Sequence, residues 1–193
     1  MLMGHEKTKM FQFTEGSTPD IPALLECELE DVPENVGHQI QILANTFEAS
    51  NLQPSGKPMY MDFGKGGKVY VLAFNQTNHS EGYEVRIDAA YAVDINTQGK
   101  IMGVGISFLG LDENGQEKGY PPIMAWTNTE DEFKSQGLGT RRLVVLNEAN
   151  KQMFNHFLTS GEAINEAAEA AWRKLTAVEL AVQENDGSYR FIK

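Results

Sequence analysis

The chain has 193 residues, of which 41% are hydrophobic, and a formal net charge of −11. This length and apolar content predict a single domain, residues 1–193, with a core of its own. The excess of acidic residues argues against direct binding to nucleic acid or to anionic membranes. A lone cysteine, Cys27, rules out an intramolecular disulfide, and four scattered histidines offer no metal site. With no signal-peptide or membrane-spanning run, we expect a cytoplasmic protein.

The N-terminal part, residues 10–58, is predicted to hold a strand and helices after a flexible start at residues 1–9. Residues 10–14 are typical of a strand, and Ser17-Thr18-Pro19-Asp20 then indicates the start of a helix. The apolar stripe of this helix would be Ile21, Leu24, Leu25 and Leu29. A second helical part would run to about residue 50. Its apolar residues are Ile40, Ile42, Leu43 and Phe47. Residues 51–58 have the composition of a loop.

Residues 59–129 are predicted to form a sheet. Four β-prone runs, 59–63, 69–74, 83–95 and 101–111, are separated by short segments of turn-forming residues. Apolar residues alternate through 83–95, and the short turns favour an antiparallel meander. A further strand, 122–129, precedes a loop and a long helix at 130–155. The predicted fold class is α/β (α+β), with one mixed, mostly antiparallel sheet of about six or seven strands flanked by helices.

The segment Lys134-Ser135-Gln136-Gly137-Leu138-Gly139-Thr140-Arg141-Arg142 joins the strand 122–129 to the helix. Gly137 and Gly139 remove the side chains that would keep a ligand away from the backbone. The first turn of the helix offers unpaired N–H groups and a partial positive charge. We therefore expect this junction to bind an anion, and a phosphate group in particular.

Three classes of ligand site use a glycine turn of this kind, and the spacing separates them. A P-loop needs Gly-x-x-x-x-Gly-Lys-Ser/Thr, which no segment supplies, and a dinucleotide fingerprint needs a third glycine where Arg142 stands. Lys134-Ser135-Gln136-Gly137-Leu138-Gly139 resembles the pyrophosphate loop of the GNAT acyltransferase superfamily, whose pattern is Arg/Gln-x-x-Gly-x-Gly/Ala. Lys134 departs from that pattern, because it keeps the positive charge and loses the planar fork of arginine.

A second stretch resembles the same superfamily. The later helix of the family commonly carries Asn-x-x-Ala-x-x-x-Tyr, and here Asn165 and Ala168 match it, with Trp172 in place of the tyrosine. An indole N–H cannot supply a proton as a phenol does, so Trp172 would instead wall the thiol channel. The family also tends to close with a β-hairpin, and Asn185-Asp186-Gly187-Ser188 predicts such a turn. Residues 156–193 would then supply a strand, a helix and a hairpin.

The resemblance implies a coenzyme-A-dependent N-acyltransferase that uses acetyl-CoA or a related acyl-CoA, needs no metal, and acylates a primary amine of a small molecule or protein. Backbone around residues 126–128 would hold the pantetheine, and the loop would hold the diphosphate. The residues expected to bind the cofactor are Trp126, Thr127, Asn128, Lys134, Gln136, Gly137, Leu138, Gly139, Thr140, Arg141, Asn165 and Trp172. The candidates for the general base are Tyr120 and Glu130, and an amine that is already neutral would need none.

Two alternatives stay open at this level. The chain could be a catalytically inactive, GNAT-like acidic protein with a binding or structural role, because Lys134, Trp172 and the lack of an evident base depart from the family pattern. It could also be an acidic inhibitor of a nucleic-acid-binding partner. The acidic residues that suggest this role are Glu26, Glu28, Glu30, Asp31 and Glu34. A homodimer is also compatible with the sequence.

Overall fold

Antiparallel strands make up most of the computed structural model, which describes residues 19–80, 83–111, 114–161 and 164–193. The strands are β1 (Leu24–Glu26), β2 (Ala49–Pro54), β3 (Met59–Asp62), β4 (Lys68–Ser80), β5 (Tyr83–Ile95), β6 (Ile101–Gly110), β7 (Ile123–Thr129), β8 (Ala181–Gln183) and β9 (Tyr189–Phe191). The helices are α1 (Glu34–Thr46), α2 (Leu138–Phe154) and α3 (Glu166–Ala177). None of the helices in these ranges combines the length and the apolar character needed to cross a membrane.

The first seven strands form one sheet in the order β1-β3-β4-β5-β6-β7, and β2 pairs with part of β4. β4 and β5 have 13 residues each and stay in register from the Lys68–Ile95 pair to the Ser80–Tyr83 pair. The predicted fold class is confirmed, because helices flank a seven-stranded sheet and β8 and β9 form a C-terminal hairpin. Residues 64–67, the glycine-rich segment between β3 and β4, form the turn of a hairpin. This agrees with the short turn predicted between the β-prone runs 59–63 and 69–74.

The two faces of the sheet have separate cores, because neighbouring residues of a strand point to opposite sides. α1 packs through Ile40 and Leu43 on the face that presents Tyr91. α2 packs on the other face with Ala90 and Ala92, and α3 and the hairpin join this second core. Of the 17 residues of α2, 11 are buried, so this helix is enclosed on more than one side.

One edge of β7 is bonded to β6, and the other edge meets a short segment from later in the chain. Met124 N donates to Thr159 O at 2.8 Å, in a parallel pairing at the start of the strand. The segment 158–160 is in turn bonded to β9. Past Met124, no strand in the described ranges pairs with this outer edge, so the backbone of residues 126–129 is open there.

The N-terminal region differs from the prediction in two places. The first helix predicted after residue 17 is wrong over the described residues, because Leu24–Glu26 form β1 against β3 and Leu29–Asp31 form only a 3-10 turn. Pro22 lacks an N–H and disfavours helical angles at the residue before it, which explains the extended backbone. The loop predicted for residues 51–58 is wrong over its first half, where β2 pairs with β4. The strand predicted at residues 10–14 lies outside the described residues.

The second predicted helix is confirmed as α1, with one difference in its buried face. Ile40 and Leu43 are 3% exposed, whereas Ile42 is 43% exposed. Two residues along a helix correspond to a rotation of about 200°, so Ile42 faces away from Ile40. α2 and α3 also follow the prediction.

Tyr91 is fully buried in the core under α1, where its hydroxyl donates to Oε1 of Gln76 at 2.7 Å. Burial raises the pKa of Tyr91 to about 12. In the unfolded chain this phenol ionises near pH 10, so between about pH 10 and 12 the unfolded state loses a proton that the folded state keeps. The stabilising contribution of Tyr91 should be complete below about pH 10 and should fall by about 2–3 kcal/mol as the pH rises through about 12.

Urea denaturation at a series of pH values measures this effect as the free energy of unfolding. Tyr91→Phe has no group to titrate at this position, so its stability should decline less than that of the wild type over the same alkaline range. Equal declines in the two proteins would contradict the assignment.

Candidate functional site

The loop before α2 leaves the first amides of that helix open. Gly137 is the N-cap residue and has the left-handed angles φ 80° and ψ 7°. The first helical bond runs from Arg141 N to Gly137 O at 3.1 Å, and no side chain in the described part of the chain caps the helix. The amides of Leu138, Gly139 and Thr140 therefore precede the helical hydrogen bonds, and the amide of Gly139, the partly exposed residue of the three, is placed to donate to an anion.

Backbone groups, rather than side chains, would make this contact. The side chains of Leu138 and Thr140 lie in the interior, each residue being 2% exposed. A Cβ added to Gly139 would meet no atom within 4 Å, so there is space on the outer side of the helix at this residue. Ser135 has φ 66°, an uncommon angle for serine that tightens the loop. The structure thus brings the predicted residues from Gly137 to Thr140 together at one helix end.

Two acidic side chains beside the loop, Asp131 and Glu132, have cationic partners. Asp131 Oδ1 lies 2.5 Å from Lys134 Nζ, and Glu132 Oε1 lies 2.5 Å from Lys100 Nζ. The hydrogen bond from Lys134 lowers the pKa of Asp131. Gln136 Nε2 donates to Glu132 O at 3.4 Å, which holds the loop to the preceding turn. Because the carboxylates are paired, they repel an anion at the helix start less strongly.

Arg141 and Arg142 lie in the interior and not at the loop surface. Both are 0% exposed, and both contact the buried carboxylate of Asp94 on β5. Arg141 Nε donates to Asp94 Oδ2 at 3.2 Å, and Arg142 Nη1 donates to the same oxygen at 3.3 Å. Arg141 also donates to Gly66 O at 3.0 Å and lies over the Phe63 ring. These contacts correct the prediction that the Arg141 side chain binds a cofactor, because its donors are used inside the protein.

This buried cluster places excess positive charge beneath the start of α2. Burial raises the pKa of Asp94, while the two guanidinium groups act in the opposite direction. Burial lowers the pKa of Arg142 to about 10, which leaves it protonated at neutral pH. Two arginines therefore outweigh one carboxyl group whether Asp94 is ionised or protonated. Arg141 lies about 4.5 Å along the helix axis from Leu138, so the cluster adds to the positive potential at the open amides.

A β-bulge interrupts β7 next to its open edge. Pairing with β6 passes from Ile106–Trp126 to Ser107–Met124, so Ala125 is an extra residue in β7. A bulge bends the strand and redirects its backbone groups. The open edge of β7 therefore carries a backbone irregularity close to the loop that precedes α2.

Trp126 and Thr127 point to opposite faces of the sheet. Thr127 faces α2, where its hydroxyl accepts from Arg142 Nε at 3.3 Å and donates to Val104 O at 3.1 Å. Trp126 is 39% exposed on the other face, where it meets the Phe47 ring edge-on at 6.1 Å. The Thr127 side chain is thus occupied by protein contacts. Of the contacts predicted for the carrier at residues 126–128, those made by the backbone are the ones that this arrangement leaves available.

Asn165 and Trp172 serve the internal structure of the chain. Asn165 is the N-cap of α3, and its Oδ1 accepts from Ala168 N at 2.9 Å, which explains the Asn-x-x-Ala spacing without a ligand. Trp172 is 1% exposed and packs against Tyr189 and Phe191, with ring centroids 6.0 and 5.2 Å away. Both predictions of cofactor binding are corrected, because one side chain caps a helix and the other fills the core.

The candidate bases Tyr120 and Glu130 lie at opposite ends of β7. Tyr120 is 69% exposed before the strand begins. Glu130 is exposed directly after the strand ends, where its N–H donates to Met102 O at 3.0 Å. A strand of seven residues separates them by about 20 Å. The structure therefore does not bring them to one reacting atom.

A surface pocket of about 420 Å³ lies where the segment 158–160 meets the turn of the β8–β9 hairpin. It is lined by Pro121, Thr159, Glu184, Asn185, Asp186, Ser188 and Arg190. This cavity is defined as the hairpin pocket. In the part of the chain that the structure describes, no group of three His, Cys, Asp or Glu side chains is arranged to hold a metal ion.

Two features of this region have no counterpart among the sequence motifs. The Asp94 cluster has a weak signal, a single acid in the apolar run Tyr91-Ala92-Val93-Asp94-Ile95. The hairpin pocket has no local signal, because it forms only when segments 158–160 and 184–190 pair.

Comparison with known proteins gives no independent assignment of the site. No protein-family model, curated protein or solved structure matches this chain.

Proposed function

We propose that this chain is a coenzyme-A-dependent N-acyltransferase that moves an acetyl or related acyl group from acyl-CoA to a primary amine of a small molecule or protein. The observation that carries the proposal is the start of α2, where the uncapped and partly exposed Gly139 follows Gly137 above a buried excess of positive charge. In a chain with a net charge of −11, such a position favours an anionic group like the diphosphate of coenzyme A. We propose that the reaction takes place in the cytoplasm and uses no metal.

The open edge of β7 supports the placement of the rest of the carrier. The loop follows directly from β7, so a carrier with its diphosphate at Gly139 can extend its pantetheine arm along residues 126–129. The arm contains amide groups, which can pair with an exposed strand edge as an added strand does. The thioester then lies toward the bulge at Ala125.

The reaction requires removal of a proton from the amine, a donor to the developing oxyanion and a proton for the thiolate. The amine nitrogen attacks the thioester carbonyl, so that an N–C bond forms and the C–S bond breaks, and the proton lost by nitrogen passes to sulfur. Backbone N–H groups at the bulge are the candidate oxyanion donors. Tyr120 and Glu130 each lie five residues from Ala125, up to about 16 Å away, so an amine that is already neutral is the better reactant.

Gly139→Leu separates ligand binding from folding. Leucine has a higher helix propensity than glycine and should stabilise the unliganded protein by about 0.5 kcal/mol, because a Cβ at this position meets no atom within 4 Å. Its side chain is larger than the glycine or alanine that the resembled loop pattern admits here, so it should fill the space beside the Gly139 amide and weaken acetyl-CoA binding at least about tenfold. Calorimetric titration measures the affinity, and thermal unfolding with and without acetyl-CoA measures both effects.

Gly37→Leu is the matched control, because Gly37 is an exposed glycine in α1 whose added Cβ also meets nothing within 4 Å. It should give a similar stabilisation with unchanged affinity. If millimolar acetyl-CoA produces no response in the wild type, the proposal fails and an acidic binding or structural protein is the better description. Release of free thiol with a panel of amines would establish catalysis.

A further inference from the structure

Two large apolar side chains are partly exposed at the β7 edge, on the face of the sheet opposite α2. Ile123 is 44% exposed and Trp126 is 39% exposed. Both lie on the α1 side of the sheet, because their partners on β6, Phe108 and Ile106, belong to the core under α1. An apolar strip formed by Ile123 and Trp126 is therefore open beside the edge where the proposed thioester lies.

The apolar strip ends at the hairpin pocket. Thr159 pairs with Ile123 across a parallel bridge, and Arg190 pairs with Thr159 across an antiparallel one. Paired residues share a face of the sheet, so the pocket opens on the same side as Trp126. Along β7, the distance from Ile123, which pairs with Thr159, to Trp126 is about 10 Å. The pocket and the reacting edge are thus within reach of one small molecule.

The hairpin pocket has a net negative charge. Arg190 Nε donates to Glu184 Oε1 at 2.8 Å, so these two charges compensate each other. Asp186 Oδ1 accepts from the N–H and the hydroxyl of Ser188, at 2.9 and 2.7 Å. These neutral donors hold the turn and lower the pKa of Asp186. With both carboxylates ionised and one guanidinium present, the lining carries one excess negative charge.

We infer that the acyl acceptor is a diamine or polyamine that binds one ammonium group in the hairpin pocket beside Asp186 and lays its methylene chain on Ile123 and Trp126. The second amine then reaches the thioester at the edge of β7. This inference rests on the proposed acyltransferase function. The order of acidic pocket, apolar strip and reacting edge matches a molecule with a cation at one end, a hydrocarbon middle and a nucleophile at the other.

Other amines fit this order less well. A monoamine that reacts at β7 leaves the charge of the hairpin pocket unmatched. An amine that carries a carboxylate or phosphate at its far end brings a second anion to Asp186. Phe47 contacts both Trp126 and Phe108 edge-on, with centroids 6.1 and 5.7 Å away, so the aromatic side of the strip is held in place before a ligand binds.

The test compares 1,8-diaminooctane, whose extended chain is long enough to span this path, with octylamine, which has the same carbon chain and lacks the second amine. Asp186→Asn keeps an oxygen for Ser188 and removes the charge, so the turn is retained. This variant should raise the Kd and KM for the diamine about fivefold and leave those for octylamine within about twofold. Arg190→Gln makes the pocket more negative and should lower the same constants for the diamine by a similar factor.

The outcomes separate the two proposals. If the wild type does not prefer 1,8-diaminooctane to octylamine, or if Asp186→Asn keeps the full preference, the diamine inference is overturned while acetyl-CoA binding and thiol release still support an acyltransferase. If 1,8-diaminooctane binds with the expected response to both variants but acetyl-CoA does not bind, the acyltransferase proposal is overturned, and the role of the diamine as an acceptor with it. Calorimetry measures each ligand separately, and all variants should bind acetyl-CoA with equal affinity.

Discussion

Asp94→Asn should lower the free energy of unfolding by about 3–5 kcal/mol, because it leaves two buried guanidinium groups without their anion. Asp94, Arg141 and Arg142 are each 0% exposed, and the carboxylate of Asp94 contacts both arginines. Water cannot replace the lost charge at such a depth, and the amide of asparagine supplies only one weaker acceptor. Urea denaturation at neutral pH measures the loss directly.

Asp62→Asn is the matched control for this prediction. Asp62 Oδ2 lies 3.5 Å from Lys68 Nζ, and the two side chains are 46% and 39% exposed. An exposed pair of this kind contributes about 1 kcal/mol or less. If Asp94→Asn costs no more than Asp62→Asn, the buried cluster does not hold the charges assigned to it.

The cluster also connects the elements that position the candidate site. Arg141 bonds Asp94 on β5 and the Gly66 carbonyl between β3 and β4, and Arg142 bonds Thr127 on β7. Both arginines belong to the second turn of α2, directly after the open amides. The start of the helix is therefore fixed to the sheet by side chains that point away from the ligand side. This arrangement leaves the amides free while holding them in place.

Local signals account for the parts of the fold that could be predicted from the sequence. Alternation in 83–95 follows from one strand with two different faces, and Gly137 marks the helix start because it adopts a left-handed angle. β2 was not predictable in this way, because Ala49–Pro54 contains three polar residues and a proline without an apolar alternation, and it pairs only once β4 is in place.

The candidate site was only partly predictable for the same reason. The backbone from Gly137 to Thr140 lies where the motif indicates, since a helix end is a local feature. The role of Arg141 depends on Asp94, which is 47 residues away in sequence, and no spacing rule joins them. Asn165 shows the opposite effect, because a spacing that resembles a ligand motif is fully used as a helix cap.

Trp172→Ala should lower the free energy of unfolding by about 3–5 kcal/mol, because it removes a large side chain from a filled core. Trp172 is 1% exposed, stacks on Tyr189 at 6.0 Å and meets Phe191 edge-on at 5.2 Å. These two residues belong to β9, so the variant should loosen the hairpin from α3. Chemical denaturation measures the loss.

Trp126→Ala provides the contrast, since Trp126 is 39% exposed and should cost only about 2 kcal/mol on truncation. The comparison also tests the core position of Trp172. A side chain at the surface leaves no new cavity when it is shortened, whereas a core residue leaves a void that neighbours cannot fill. A loss for Trp172→Ala that is no larger than the loss for Trp126→Ala would therefore contradict the packing of Trp172 against Tyr189 and Phe191.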